Sequence, residues 1–156
     1  MRILLDTCVI MDAVQNRAPF ADAAKKIFRE AAMNSFIGCI TAKASTDIYY
    51  LAHRCTHSDK DTRVILTKLF ALFDVLDTAA LDCKKAISSS VADYEDAVMI
   101  ETALSNGIAY IVTRNTKDYK TSPVPILTPD SFLQILVQEH DPFFGQTGHG
   151  NETSGQ

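Results

Sequence analysis

Two kinds of apolar patterning alternate along the chain. Short uninterrupted blocks predict buried strands, and longer stretches with an apolar residue every third or fourth position predict amphipathic helices. Arg2-Ile3-Leu4-Leu5 is a block of the first kind, ended by Asp6-Thr7 where a strand meets a loop. Over residues 20–32, Phe20, Ala23, Ala24, Ile27, Phe28 and Ala31 mark a helix face. Phe36-Ile37-Gly38-Cys39-Ile40 reads as a second strand, and Thr41 then offers an N-cap for a helix through Ile48, Leu51 and Ala52. Asp59 or Asp61 is expected to cap the next helix, with Val64, Ile65, Leu69 and Leu72 as its apolar face.

Val75-Leu76 predicts a third strand, followed by an alanine-rich helix over about residues 78–88. Residues 91–105 carry Val98, Met99, Ala103 and Leu104 on a helical stripe that Asn106-Gly107 stops. Residues 108–113 predict a fourth strand. Residues 123–127 predict a short fifth one, which Pro123 and Pro125 push to a sheet edge. Thr128 or Asp130 opens a last helix through Val137. Strands alternating with helices imply an α/β fold: one domain over residues 1–140, with a central parallel sheet of about four to five strands covered by helices on both faces. Residues 141–156, DPFFGQTGHGNETSGQ, have the composition of a tail and are expected to be largely disordered.

Composition narrows the function. Hydrophobic residues make up 47% and charged residues 22%, a globular balance. The formal net charge of −4 supplies no global positive field, so contact with nucleic acid needs a local basic patch or a metal. Cys8, Cys39, Cys55 and Cys83 form no CxxC pair, which argues against structural zinc. The chain shows neither a signal-peptide pattern nor an apolar stretch near the ~18 residues of a membrane span, so a cytoplasmic, reduced-thiol protein with no membrane partner is expected. Outside the tail only Gly38 and Gly107 remain, too few for a glycine-rich phosphate cradle. P-loop hydrolases and dinucleotide-dependent dehydrogenases are thereby excluded.

The acids carry the candidate chemistry. In an open parallel sheet, ligands bind beyond the carboxyl ends of the strands. Asp6 follows the first strand, Asp47 lies on the helix after the second, and Asp118 lies shortly after the fourth. Asp93, Glu95 and Asp96 open the helix before the fourth strand, at the end that faces the same edge. Two carboxylates about 4 Å apart repel by roughly 4 kcal/mol at an effective dielectric near 20, so such a cluster calls for a cation. Oxygen donors without paired Cys or His point to Mg²⁺ or Mn²⁺, and the implied chemistry is metal-assisted phosphodiester hydrolysis.

Five segments then occur in a telling order: LLDTCVIMD (4–12), ITAKASTDIYYL (40–51), ADYEDAVMIETAL (92–104), IVTRNTKDY (111–119) and PVPILTPDSFL (123–133). Over roughly residues 2–137 the chain resembles the PIN domain family. That resemblance implies a Mg²⁺- or Mn²⁺-dependent ribonuclease acting on single-stranded RNA, with products ending in a 5′-phosphate and a 3′-hydroxyl. For many bacterial members it also implies a VapC-type toxin neutralised by a cognate antitoxin, and a homodimer. Carried over residue by residue, the family's acids fall on Asp6, Asp47, Asp96 and Asp118, with Asp47 standing where Glu is usual and reaching one methylene less far. The implied metal ligands are Asp6, Asp96 and Asp118, with Asp93 one helical turn before Asp96 as an additional ligand or a support for one. Thr7 and Thr113 would orient carboxylates through hydrogen bonds, and Asn115 would do the same or touch substrate. Arg114, Lys117 and Lys120 form a local basic strip suited to RNA phosphates.

Simpler readings compete. Asp93 and Asp96 match the N-cap and N3 positions of a capping pattern, Asp12 reads as a cap or solvated residue of the first helix, and Glu95 and Glu101 read as solvent-facing. Tyr49, Tyr50 and Leu51 suit core or dimer surface better than base stacking. His53, Cys55 and His57 lack the intervening Glu and the further ligand pair a zinc site needs. Among other functions, a receiver-type signalling domain would want an acidic pair after the first strand and a Lys after the last; neither is present. A non-catalytic PIN-like module that binds RNA or protein is the main alternative, motivated by the short acid at Asp47.

Overall fold

The structure, a computed structural model, describes residues 1–140; the tail expected at 141–156 lies outside the described residues. Strands β1 (Arg2–Leu5), β2 (Ile37–Thr41), β3 (Asp74–Leu76), β4 (Tyr110–Val112) and β5 (Ile126–Leu127) form one sheet in the order β3-β2-β1-β4-β5. Every neighbouring pair is parallel. β1 is central, with Leu4 opposite Cys39 on one side and Ile111 on the other, and the proline-flanked β5 lies at an edge as its composition predicts. Among the described residues the helices are α1 (Thr7–Val14), α2 (Ala21–Ala32), α3 (Ala42–Thr56), α4 (Asp59–Leu72), α5 (Ala80–Ala86), α6 (Tyr94–Ser105) and α7 (Pro129–His140).

Side-chain alternation along the strands feeds two cores. Ile3, Leu5, Phe36, Ile40 and Val112 pack with Ile10 of α1, Ile27 of α2, Ile48 of α3, Leu69 of α4 and Phe132 of α7. Leu4, Cys39 and Ile111 pack on the opposite face with Ile100 and Ala103 of α6, while Ala86 of α5 joins Ala97 and Val98 of α6 beside them. Both faces are therefore covered, which is why the strands read as continuous apolar runs.

Several local expectations shift. Ser58, not Asp59 or Asp61, caps α4, its side chain accepting from Asp61 N at 3.2 Å. Val64 is 46% exposed, whereas Thr62 is fully buried. A buried threonine is tolerated because its hydroxyl donates to the Ser58 carbonyl at 2.8 Å and contacts the Thr56 hydroxyl at 2.7 Å. α5 is shorter than its alanine content suggests, and α6 starts at Tyr94 because Asp93 takes the N-cap. The segment after β4 closes in a 3-10 turn (Thr116–Tyr119) that hydrophobic periodicity does not reveal.

Asp12 is the clearest correction. The expectation of a capping or solvated residue fails: Asp12 is 1% exposed, with its Oδ2 2.6 Å from Arg114 Nε. The contact is an ion pair between a guanidinium and a buried carboxylate. Arg114 also lays its guanidinium over the Phe20 ring, 4.1 Å from the centroid. Burial raises the Asp12 pKa, and the neighbouring Arg114 and Arg17 charges partly offset that rise. The pair ties α1 to the segment after β4.

Two stability predictions follow from this packing. A Cβ at Gly38 would sit 2.6 Å from Phe73 Cδ1, a ring that is itself locked edge-on against Phe28 at 5.0 Å. Gly38→Ala is expected to lose about 1–3 kcal/mol in urea unfolding. Arg114→Ala is expected to cost about 3 kcal/mol near neutral pH by leaving Asp12 buried without its counter-ion, and Asp12→Leu/Arg114→Met to cost less than that single change. Without the guanidinium the Asp12 pKa rises further above its unfolded value. Stability is then retained below the unfolded pKa and lost as pH rises through the folded one, so the Arg114→Ala deficit shrinks toward about pH 4. Urea titrations at several pH values read this directly.

Candidate active site

All five strands being parallel, their carboxyl ends share one edge, and the polypeptide leaves that edge through helix N-termini. Asp6 is the N-cap of α1, accepting from Cys8 N at 3.4 Å, and Thr41 is the N-cap of α3, accepting from Ala44 N at 3.0 Å. α6 returns to the same edge with Asp93 as its cap. Asp6, Thr7, Thr41, Lys43, Glu95 and Asp96 line one cleft of about 20 Å³ there, room for a single water-sized occupant. Three helix N-termini thus bring their positive ends toward a group of acids.

Each central acid is held by a specific donor. Asp6 Oδ2 accepts from Thr113 Oγ1 at 2.6 Å and from Cys8 Sγ at 3.1 Å. Thr113, fully buried, is oriented for this because its oxygen accepts from Asn115 N at 3.0 Å. Burial and the Asp6 charge push the Cys8 thiol up to about 11, so it stays a protonated donor. Asp96 Oδ1 accepts from Tyr119 Oη at 2.6 Å. Burial, with the charges of Asp6 and Asp96, drives the Tyr119 phenol far above its ordinary pKa, so it too remains a donor. The Asp96 carboxyl is itself pushed up, chiefly by burial, with Asp93, Asp6 and Asp118 adding repulsion against the help from Tyr119.

The other sequence-predicted residues are spread around this pair. Asp47 Oδ2 lies 2.7 Å from Lys43 Nζ, which also reaches Glu95 Oε1 at 2.5 Å. Asp93 Oδ1 is engaged as a helix cap, accepting from Glu95 N at 2.7 Å and Asp96 N at 3.2 Å. Asp118 is exposed and accepts from Asn115 Nδ2. Lys117 and Lys120 are exposed on the same segment, whereas Arg114 is turned inward onto Asp12. Thr7 lines the cleft. Glu95 is exposed, as its pattern suggests, yet it is also a partner of Lys43. Away from this edge, His53 stacks on Tyr49 and His57 closes α3 in a left-handed conformation.

Sequence reasoning missed Lys43, Tyr119 and Cys8. The i,i+4 spacing of Lys43 and Asp47 was a usable signal, and so was the position of Cys8 two residues after Asp6; Tyr119 carries none, because its partner Asp96 lies on α6, 23 positions earlier. Among the described residues no three His, Cys, Asp or Glu side chains are arranged to hold an ion as they stand. The donor chemistry nevertheless fits a hard dication: Asp6 and Asp96 share one small cleft, each has an oxygen fixed by a neutral hydroxyl, and the Asp96 carboxyl is raised by burial and, after it, by the neighbouring acids Asp93, Asp6 and Asp118.

Comparison with known proteins agrees with this architecture. No curated protein matches the sequence. Structures with the same fold include VapBC2 from Rickettsia felis bound to a DNA fragment from its promoter, with 15% identity over 82% of this chain and 98% of that chain and a TM-score of 0.61. A toxin-antitoxin complex from Klebsiella pneumoniae shares 20% identity over 81% of this chain and 97% of that chain, TM-score 0.60. DNA-bound VapBC from Salmonella typhimurium shares 19% over 83% and 98%, TM-score 0.62. At these identities the likeness is one of fold. The PIN domain family model matches residues 2–117, ending one residue before Asp118 and including Asp6, Asp47, Asp93 and Asp96. With that match over most of its length, the chain belongs to the PIN domain family.

Proposed function

We propose that this protein is a divalent-metal-dependent endoribonuclease that hydrolyses single-stranded RNA, and that it is the toxin of a toxin-antitoxin pair. The observation that carries the nuclease reading is the pairing of Asp6 and Asp96 in one cleft, each with one oxygen already held by a buried hydroxyl. The toxin reading is supported by the fold neighbours, among them a toxin-antitoxin complex from Klebsiella pneumoniae and two VapBC assemblies bound to DNA.

Asp6 and Asp96 would hold the ion, with Asp118 contributed by the segment after β4. A bound Mg²⁺ or Mn²⁺ supplies positive charge against the charge developing on the phosphoryl group and makes water a better nucleophile. The chain's own residues do the positioning. Thr113 and Cys8 hold Asp6 Oδ2 from one side, and Tyr119 holds Asp96 Oδ1 from the other, leaving Asp96 Oδ2 without a protein donor among the described residues. Such hydrogen bonds fix the direction of the acids without neutralising them. The exposed Lys117 and Lys120 are available for flanking phosphates, while Arg114 is committed to holding the segment that carries them. The partner that masks this edge would be an antitoxin protein encoded nearby, and the working assembly a homodimer.

Incubation of a mixed single-stranded RNA pool with Mg²⁺, Mn²⁺ or EDTA tests the reading. Metal-dependent cleavage leaving 5′-phosphate ends is expected, with Asp6→Asn and Asp96→Asn each losing on the order of 10³-fold, the equivalent of several kcal/mol of transition-state stabilisation. Cleavage in EDTA, or in both variants, overturns it, and RNA binding without any cleavage favours a non-catalytic module. Tyr119→Phe, which removes only the hydroxyl on Asp96, is expected to lose roughly 10–100-fold in activity or in metal affinity measured by titration.

A further inference from the structure

Lys43 stands in a place that local rules disfavour. It is the second residue of α3, where the positive end of the helix repels a cation. Its i,i+4 partner Asp47 follows it in sequence, the weaker order for a helical ion pair. A residue that breaks two local rules on an exposed helix end is held there by something outside the helix. That something is the cleft: Lys43 lines it together with Asp6 and Asp96, and its Nζ lies 2.7 Å from Asp47 Oδ2 and 2.5 Å from Glu95 Oε1 on α6. Burial favours the neutral amine, but the two carboxylates outweigh it and keep Lys43 an ammonium.

The cleft also needs a cation of its own. RNA approaching this edge meets Asp6, Asp47, Glu95 and Asp96, and Arg114 is turned away onto Asp12. Lys117 and Lys120 are on the exposed segment after β4 and outside the residues lining the cleft. Lys43 is the cation that lines it, and with 38% of its side chain exposed it can exchange a carboxylate for an incoming anion. We propose that Lys43 is a substrate-binding residue that takes a non-bridging oxygen of an RNA phosphate at the cleft, and that Asp47 and Glu95 hold it in readiness. On this view Asp47 acts through Lys43 rather than as a ligand, which suits its short reach. The inference rests on the ribonuclease reading above.

The test is steady-state cleavage of the same RNA pool by the full chain and by Lys43→Gln, Lys43→Met and Lys43→Arg, across a series of KCl concentrations. The two neutral variants are expected to raise KM on the order of tenfold, with a smaller change in kcat, and to lower the slope of log kcat/KM against log salt by about 1; Lys43→Arg is expected to keep the wild-type slope. A role confined to bracing Asp47 and Glu95 would shift thermal stability and leave the salt slope unchanged, which overturns the proposal. So does a pair of neutral variants with the KM and slope of a wild type that cleaves RNA; the nuclease reading then survives without Lys43. A wild type that cleaves no RNA with either metal removes the nuclease reading itself, and this inference with it.

Discussion

Like charge gathered at one edge of a sheet is the constraint that the rest of the molecule answers. Parallel strands deliver their carboxyl ends, and the acids that follow them, to a common edge, where mutual repulsion raises the cost of ionising each one. The Asp96 carboxyl, pushed upward by burial and by Asp93, Asp6 and Asp118, shows that the repulsion is present. The fold counters it with three helix N-termini, two hydroxyl donors on the central acids and one ammonium at the rim. None of these fully neutralises an acid in the cleft. On the reading proposed above, the residual field is what would draw a cation to this edge.

The segment after β4 organises this edge more than any helix does. Thr113 reaches back to Asp6, Arg114 reaches to Asp12 and Phe20, and Tyr119 reaches to Asp96. Seven consecutive positions therefore tie the central strand, the first helix and α6 together. The two buried ends of the segment, Thr113 and Tyr119, bracket the exposed Asn115, Lys117 and Asp118. Exposed polar groups on a segment pinned at both ends keep their positions without being buried themselves, an arrangement suited to contact with a polymer in solvent.

The fold was legible in the sequence wherever the signal is local. Apolar blocks marked the strands, Thr41 announced its helix, and Asn106-Gly107 stopped α6, with Gly107 at φ 64°. The candidate acids were legible for the same reason: their position after a strand or at a helix start can be read from neighbours in sequence. What stayed hidden depends on partners far away along the chain. Asp12 looks like any helix-surface acid until Arg114, across the fold, is brought onto it. Tyr119 sits in a polar run and gives no sign of being 2% exposed. Val64 and Thr62 exchange roles because the Thr62 hydroxyl satisfies itself on Ser58 and Thr56, something a hydropathy pattern does not weigh.

The strand order has a consequence in time. β1 leads the sequence and sits mid-sheet, but its hydrogen-bonded neighbour β4 and the hydroxyl that orients Asp6 come much later, Thr113 lying 107 positions further on. Contacts of such long range form late in folding. During synthesis at about 5–20 residues per second, the ribosome carries for several seconds a chain that has Asp6 and Asp47 and lacks Thr113 and Tyr119. On the ribonuclease reading proposed above, a protein that would cut RNA while being read from RNA gains from that delay. Its topology postpones assembly of the candidate site until almost the whole domain has been translated.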